Sequence, residues 1–130
     1  MNGVEAPTRV SVAAGPLVGP VLRRVVGMFA ARADLPLDRL DDAVLVADVV
    51  AARAPAHVAS ETVDVALTSS RRALDLRVGP LVRGGGRALV TDAAVPGVGN
   101  VIERLADGLE IETQGEHEFL CLRMAYSGSD

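Results

Sequence analysis

The sequence predicts an α+β two-layer sandwich, with helices packed on one face of a mixed, mainly antiparallel sheet. Apolar residues recur with the helical period early in the chain and alternate with polar residues in later, paired segments. The 130 residues, 49% of them apolar, suffice for one hydrophobic core but not for two. We therefore expect a single domain over residues 9–126, with flexible tails at residues 1–8 and 127–130.

The first strand and the first two helices are predicted in that order. Alternation of Val10 and Val12 with polar residues indicates a short edge strand over residues 9–13. Residues 17–29 have apolar side chains at steps of three and four, which is typical of an amphipathic helix. Asp34 marks its end, and a second amphipathic helix follows, which Pro55 stops.

A β-hairpin is predicted after the second helix. Residues 62–67 and 74–78 both alternate between apolar and polar side chains, as expected of strands with one buried face. The polar residues 69–72 form the predicted turn, and Gly79-Pro80 ends the second strand. A short helical piece over residues 87–94 follows in the least regular part of the chain.

The last part of the chain is predicted to contain a short helix and a second hairpin. The helix covers residues 99–106. Two alternating runs, residues 109–113 and 119–125, form the strands, and residues 114–118 form the turn between them.

Composition and charge exclude several function classes. The 17 acidic residues outnumber the 13 basic ones, which are scattered, so the chain lacks the cationic cluster that nucleic-acid binding needs. Phe29, Phe119 and Tyr126 are its only aromatic residues, too few for base stacking. No run approaches the roughly 20 apolar residues of a membrane-spanning helix. We expect a cytoplasmic protein that binds a protein or a small molecule.

The cysteine and histidine residues predict neither a disulfide nor a metal site. Cys121 is the only cysteine, so no intrachain disulfide can form, and its place in an alternating run indicates a small core or sheet residue rather than a nucleophile. His57 and His117 are far apart in the sequence and do not have the spacing of metal ligands. We expect both histidines at the surface.

The closing segment of the chain is similar to a known family. The sequence PGVGNVIERLAD at residues 96–107, followed by a strand, a charged turn and a strand ending Leu122-Arg123-Met124, resembles the closing third of bacterial anti-sigma regulatory factors. These are small serine/threonine kinase-like members of the histidine-kinase-like ATPase superfamily. The resemblance in layout extends over nearly the whole chain and implies the ATPase fold, transcription regulation and a homodimer formed through the first helix and first strand.

The nucleotide motifs of that family are altered in this chain. The resemblance places Asp48 where the family has the Glu that acts as general base, and Ala52 where it has the Asn that holds Mg²⁺. Gly79 or Pro80 stands where the family has the Asp that binds adenine. Gly97, Gly99 and Asn100 match the glycines that open the last helix, where backbone amides bind phosphate.

Three functions follow from the resemblance. The first is an anti-sigma-like protein that binds a sigma factor or an anti-anti-sigma partner and has lost ATP chemistry, so that no cofactor is expected. The second is an active kinase with Mg-ATP, in which Asp48 is the base and the Gly97 and Gly99 loop holds the phosphates. The third is a small-molecule sensor that uses the vacated nucleotide pocket. The Gly84-Gly85-Gly86 run also remains open between a phosphate cradle and a flexible remnant of the family's lid.

Overall fold

The computed structural model describes residues 7–126, which form the expected strands and helices in the predicted order together with two further short strands. The strands are Thr8–Ala13 (β1), Thr62–Ser70 (β2), Ala73–Leu81 (β3), Ala94–Val95 (β4), Gly99–Asn100 (β5), Gly108–Gln114 (β6) and His117–Ala125 (β7). The helices are Val18–Arg32 (α1), Leu37–Arg53 (α2), Gly85–Thr91 (α3) and Val101–Leu105 (α4), with a 3-10 turn at Ala54–Ala56 after α2.

The main sheet has five strands in the order β1-β2-β3-β7-β6. Every neighbouring pair of these strands is antiparallel, so the described sheet contains no parallel pair. The short strands β4 and β5 pair with each other outside this sheet. The predicted α+β class, with helices packed on a mainly antiparallel sheet, is confirmed.

The core lies between the helices and one face of the sheet and is almost entirely aliphatic. Side chains alternate along each central strand, and the inward ones of β2, β3 and β7 are buried against α1 and α2. Phe29 is the only aromatic residue in this buried cluster. The buried side chains of α2 are all alanine or valine. The inward-facing residues from the three strands are Val63, Val65, Leu67, Leu74, Leu76, Val78, Leu120, Leu122 and Met124.

Arg39 connects α2 to the end of the domain. Its guanidinium group, with a side chain only 18% exposed, pairs with Asp42 at 2.8 Å and with Asp107 at 2.6 Å. It also donates to the carbonyl oxygens of Leu105 and Ala125. This group therefore fixes the ends of α4 and β7 against the helical layer.

The prediction that Gly79-Pro80 ends the hairpin was wrong, because β3 continues to Leu81. Proline has no N–H to donate, and the pairing with β7 shifts register between Val78 and Leu81. The strand accommodates the interruption as a local irregularity. Leu81 is fully buried, and the isolated bridge that it forms with Val58 extends the pairing beyond the proline.

Several turns are tighter than the sequence predicts. Ser69 and Ser70 belong to β2, and only Arg71 and Arg72 connect it to β3. Arg72, the second residue of this two-residue turn, adopts a positive φ of 65°. The last hairpin likewise turns at residues 115–116, so most of the predicted 114–118 turn lies in strands.

Both short helices are displaced from their predicted bounds. The helix expected at 87–94 is Gly85–Thr91, and residues 94–95 form a strand instead. The helix expected at 99–106 is shortened to Val101–Leu105, because residues 99–100 pair with β4. The conformations of the neighbouring glycines account for this second difference, as described below.

The ends of the domain differ slightly from the prediction. Thr8, assigned to a tail, pairs with Leu67 as the first residue of β1. Residues 1–6 of the predicted first tail and all of the predicted tail 127–130 lie outside the described residues. Within residues 7–126, no helix has both the length and the apolar character needed to cross a membrane.

Candidate functional site

Asp48 lies on the outer side of the helical layer. Its carboxylate pairs with the guanidinium of Arg23 on α1, and the two side chains are 37% and 61% exposed. Ala52, one turn further along α2, is also exposed and offers no polar group. The structure thus gives Asp48 a contact between two helices at the surface.

Gly97 and Gly99 form the tight turn between β4 and β5. Their φ values are +80° and +97°, a left-handed region that glycine adopts without steric cost. The Val98 N–H donates to the Val95 carbonyl at 2.9 Å, and Arg104 donates to the Val98 carbonyl at 2.7 Å. The arginine therefore covers the turn. The two glycines are required by this turn whether or not a phosphate binds.

Asn100 caps α4. Its Oδ1 accepts from the Glu103 N–H at 3.0 Å, and its Nδ2 donates to the Val90 carbonyl at 2.7 Å. Both ends of the side-chain amide are thus engaged within the protein. The spacing of Asn100 and Glu103 is a sequence signal for such a cap. It explains this asparagine without a ligand.

The predicted site residues do not converge on one site. Asp48 pairs with α1 on the outer surface, whereas residues 97–100 form the turn before α4. The buried layer between helices and sheet is filled by side chains that are 0% exposed: Ala47, Val50, Ala54, Leu81, Leu89 and Ile102. Among the described residues, no group of three His, Cys, Asp or Glu side chains is arranged to hold a metal ion.

The Gly84-Gly85-Gly86 run has a role that neither sequence interpretation anticipated. Gly84 is left-handed, with φ of +79°, and the run opens α3. The N–H groups of Gly84 and Gly86 donate to the two carboxylate oxygens of Glu118 at 2.9 Å and 3.0 Å. A carboxylate from β7 therefore occupies the amides that a phosphate cradle would offer. Because 32 residues or more separate the partners, no local sequence signal could have revealed this contact.

These hydrogen bonds lower the pKa of Glu118. The Gly84 and Gly86 amides stabilise the ionised carboxylate, and Arg83 nearby acts in the same direction. Because the folded pKa lies below the unfolded one, the stability that Glu118 contributes is present above the unfolded pKa and is lost as pH falls through the folded pKa.

Glu118→Gln should therefore destabilise the protein in a pH-dependent way. Since the carboxylate acts as a cap on α3, we expect a loss of about 1 kcal/mol at pH 7. The difference from wild type should shrink once the pH falls below the ordinary glutamate pKa of 4.5. Urea unfolding at several pH values measures it. A difference that stays constant between pH 7 and pH 3 would show that the charge of Glu118 contributes nothing.

A second contact holds the other end of α3. His57 Nε2 lies 2.7 Å from Asp92 Oδ2, and Arg53 donates to the Asp92 carbonyl at 2.7 Å. The His57 side chain is only 16% exposed, so it is more enclosed than a surface histidine is expected to be, whereas His117 is exposed as predicted. The sequence separates His57 from Asp92 by 35 residues, which is why this contact was missed. Both ends of α3 are thereby bound to neighbouring elements.

The position assigned to adenine recognition is packed against β7. A Cβ built on Gly79 would lie 2.5 Å from Phe119 Cδ2 and 2.9 Å from the Glu118 carbonyl oxygen. Gly79 is thus needed for close approach between two strands. The Arg77 guanidinium lies over the Phe119 ring, 3.8 Å from the ring centroid. Neither Gly79 nor Pro80 carries a carboxylate.

Cys121 lies in β7 between the inward-facing Leu120 and Leu122, on the open face of the sheet. It is half-buried, and burial together with nearby Glu112 raises the pKa of its thiol. A raised pKa leaves less thiolate, so the residue is a poor nucleophile. Cys121 is therefore a sheet residue without catalytic geometry.

No protein-family model matches the chain, and a search of curated proteins finds no similar sequence.

Proposed function

We propose that this chain is an anti-sigma-factor-like regulatory protein that acts by binding another protein, without ATP chemistry. The partner is a sigma factor or an anti-anti-sigma protein in the bacterial cytoplasm. The observation that carries the proposal is that the groups assigned to the nucleotide are engaged elsewhere. Asp48 pairs with Arg23, and Asn100 caps α4.

The order of elements supports the family assignment on which this proposal rests. A strand, two helices, a hairpin, a loop with short helices and a final hairpin follow one another as the resemblance implies. The alterations at the nucleotide motifs then favour binding over catalysis. Ala52 cannot ligate Mg²⁺, and neither Gly79 nor Pro80 has a side chain that accepts a hydrogen bond from adenine.

The two alternatives have less support. An active kinase needs a base beside the phosphates, whereas Asp48 faces outward and holds an arginine. A sensor in the vacated pocket needs room between helices and sheet, where Ala47, Val50 and Ile102 are fully buried in a continuous core. Protein binding requires neither a base nor an internal cavity.

The proposal predicts inhibition of transcription in a purified system. RNA polymerase is assembled with each sigma factor of the source bacterium in turn, and the chain is titrated into run-off transcription without added anti-anti-sigma protein. Transcription from one sigma factor, or from a closely related group, should fall with rising chain concentration. Activity that stays unchanged with all of them, together with failure to bind any anti-anti-sigma protein in sedimentation, would overturn the proposal.

A further inference from the structure

The outer surfaces of α1 and α2 enclose a groove on the side of the helical layer that faces away from the sheet. The concavity has a volume of about 810 Å³. Its lining residues recur at helical spacing along both helices, so the groove follows the helix axes. We call this surface the outer groove. On α1 it is lined by Arg23, Arg24, Gly27 and Met28, and on α2 by Asp41, Val44, Leu45 and Asp48.

The middle of the outer groove is apolar and recessed. Gly27 has no side chain, and a Cβ placed there would meet only Val44 Cγ2, at 3.9 Å. Met28 and Leu45 stand beside this recess and are 56% and 41% exposed. The surface is therefore concave and exposes large apolar side chains.

The two walls of the outer groove carry opposite charge. Both charged lining residues on the α1 side are arginines, and both on the α2 side are aspartates. Arg23 and Asp48 pair across the groove. Within residues 7–126, the side chains of Arg24 and Asp41 have no ion-pair or hydrogen-bond partner. One cation and one anion are thus available on opposite sides of an apolar recess.

We propose that the outer groove binds a single amphipathic helix of a protein partner. Its apolar stripe would pack on Met28, Leu45 and the Gly27 recess, with acidic residues towards Arg24 and basic residues towards Asp41. This inference rests on the proposed function, because it names the surface through which a protein partner is held. A convex helix fits the concave groove, whereas a two-fold dimer formed through this surface would bring one concave surface against another.

A designed peptide tests this inference without a known partner. The probe is a helical peptide of about 18 residues with leucines at steps of three and four, glutamates along one flank and lysines along the other. A matched peptide keeps the leucines and carries lysines on both flanks. Each is titrated into the ¹⁵N-labelled chain, and the backbone amide shifts of the protein are followed by NMR.

The Glu/Lys peptide should produce saturable shifts that map to residues 20–28 and 40–48, with a dissociation constant below about 1 mM. The peptide with lysines on both flanks should bind at least about threefold more weakly, because one flank meets the arginine wall. Arg24→Glu and Leu45→Asp should each weaken binding of the Glu/Lys peptide by about fivefold or more. Arg71→Glu, the same charge change in the β2-β3 turn, should leave binding within about twofold of wild type.

Three results would overturn the proposal. The first is no saturable shift, and the second is a set of shifts that map to the open face of the sheet. The third is concentration-dependent shifts at residues 20–28 and 40–48 without peptide, which would assign the groove to a second copy of the chain. Since Leu45 is exposed, its variant should keep a dispersed spectrum, and Met28→Glu serves as a second variant if it does not.

The transcription assay separates this inference from the function on which it rests. Inhibition that persists unchanged with Leu45→Asp would overturn the role of the outer groove and leave the proposed function standing. Peptide binding in the groove, with no effect of the chain on any sigma factor or anti-anti-sigma protein, would overturn the proposed function. It would leave the outer groove standing as a helix-binding surface.

Discussion

Leu120→Ala should lower the free energy of unfolding by about 2–5 kcal/mol, the range expected when a fully buried leucine is truncated. Leu120 is 0% exposed in β7, where it pairs with Val78 on one side and Ile111 on the other. Truncation removes apolar contacts and leaves a cavity that the surrounding strands cannot close. Against a total stability of about 5–15 kcal/mol, this is a large fraction.

The matched control is Leu37→Ala, because the same atoms are removed from a side chain that is 74% exposed. Its effect should lie within about 0.5 kcal/mol of zero. Urea unfolding of both variants measures the difference. If the two variants lost the same free energy of unfolding, Leu120 would not be in the core.

Gly79→Ala should destabilise the protein by about 1–3 kcal/mol, although it adds only one methyl group. The new Cβ would lie 2.5 Å from the Phe119 ring and 2.9 Å from the Glu118 carbonyl oxygen. The ring can turn, but the carbonyl belongs to the backbone of β7, so the strand itself must move. That movement also disturbs Glu118, whose side chain binds the first amides of α3.

Gly19→Ala is the matched control, because the same added methyl group should not lower the free energy of unfolding. Gly19 lies in α1, and a Cβ there meets nothing within 4 Å. Alanine restricts the unfolded chain and favours the helix, so the variant should be as stable as wild type or up to about 1 kcal/mol more stable. Thermal unfolding compares the two. If Gly79→Ala melts at the wild-type temperature, the close contact between β3 and β7 is wrong.

The sequence predicts the fold because its periodicity reflects burial. The alternation of residues 62–67 and 74–78 identifies a hairpin with one buried face, and this face contacts the helices as expected. The end of a strand is harder to predict, because the effect of a single residue also depends on how the partner strand responds. Pro80 removes a hydrogen-bond donor, which suggests the end of a strand, but the partner strand accommodates it through a shift in register.

The contacts of the candidate site are harder to predict from the sequence than the fold is. The roles of Asn100 and the positive-φ glycines depend on local geometry, and the spacing of Asn100 and Glu103 contains enough information to predict the cap. The contacts of Glu118 with Gly84 and of His57 with Asp92 join residues 34 and 35 positions apart. They depend on strand register and helix placement, which no local pattern specifies.

Titration of the purified chain with Mg-ATP, followed by thermal unfolding, tests most directly the claim that the chain acts without nucleotide chemistry. A ligand that binds only the folded state raises the free energy of unfolding by about 2.7 kcal/mol at a hundred times its dissociation constant, which shifts the melting temperature by several degrees. We expect the melting temperature to stay within about 1 °C of its starting value up to about 5 mM Mg-ATP. A rise that grows with Mg-ATP concentration and is absent with Mg²⁺ alone would contradict the account.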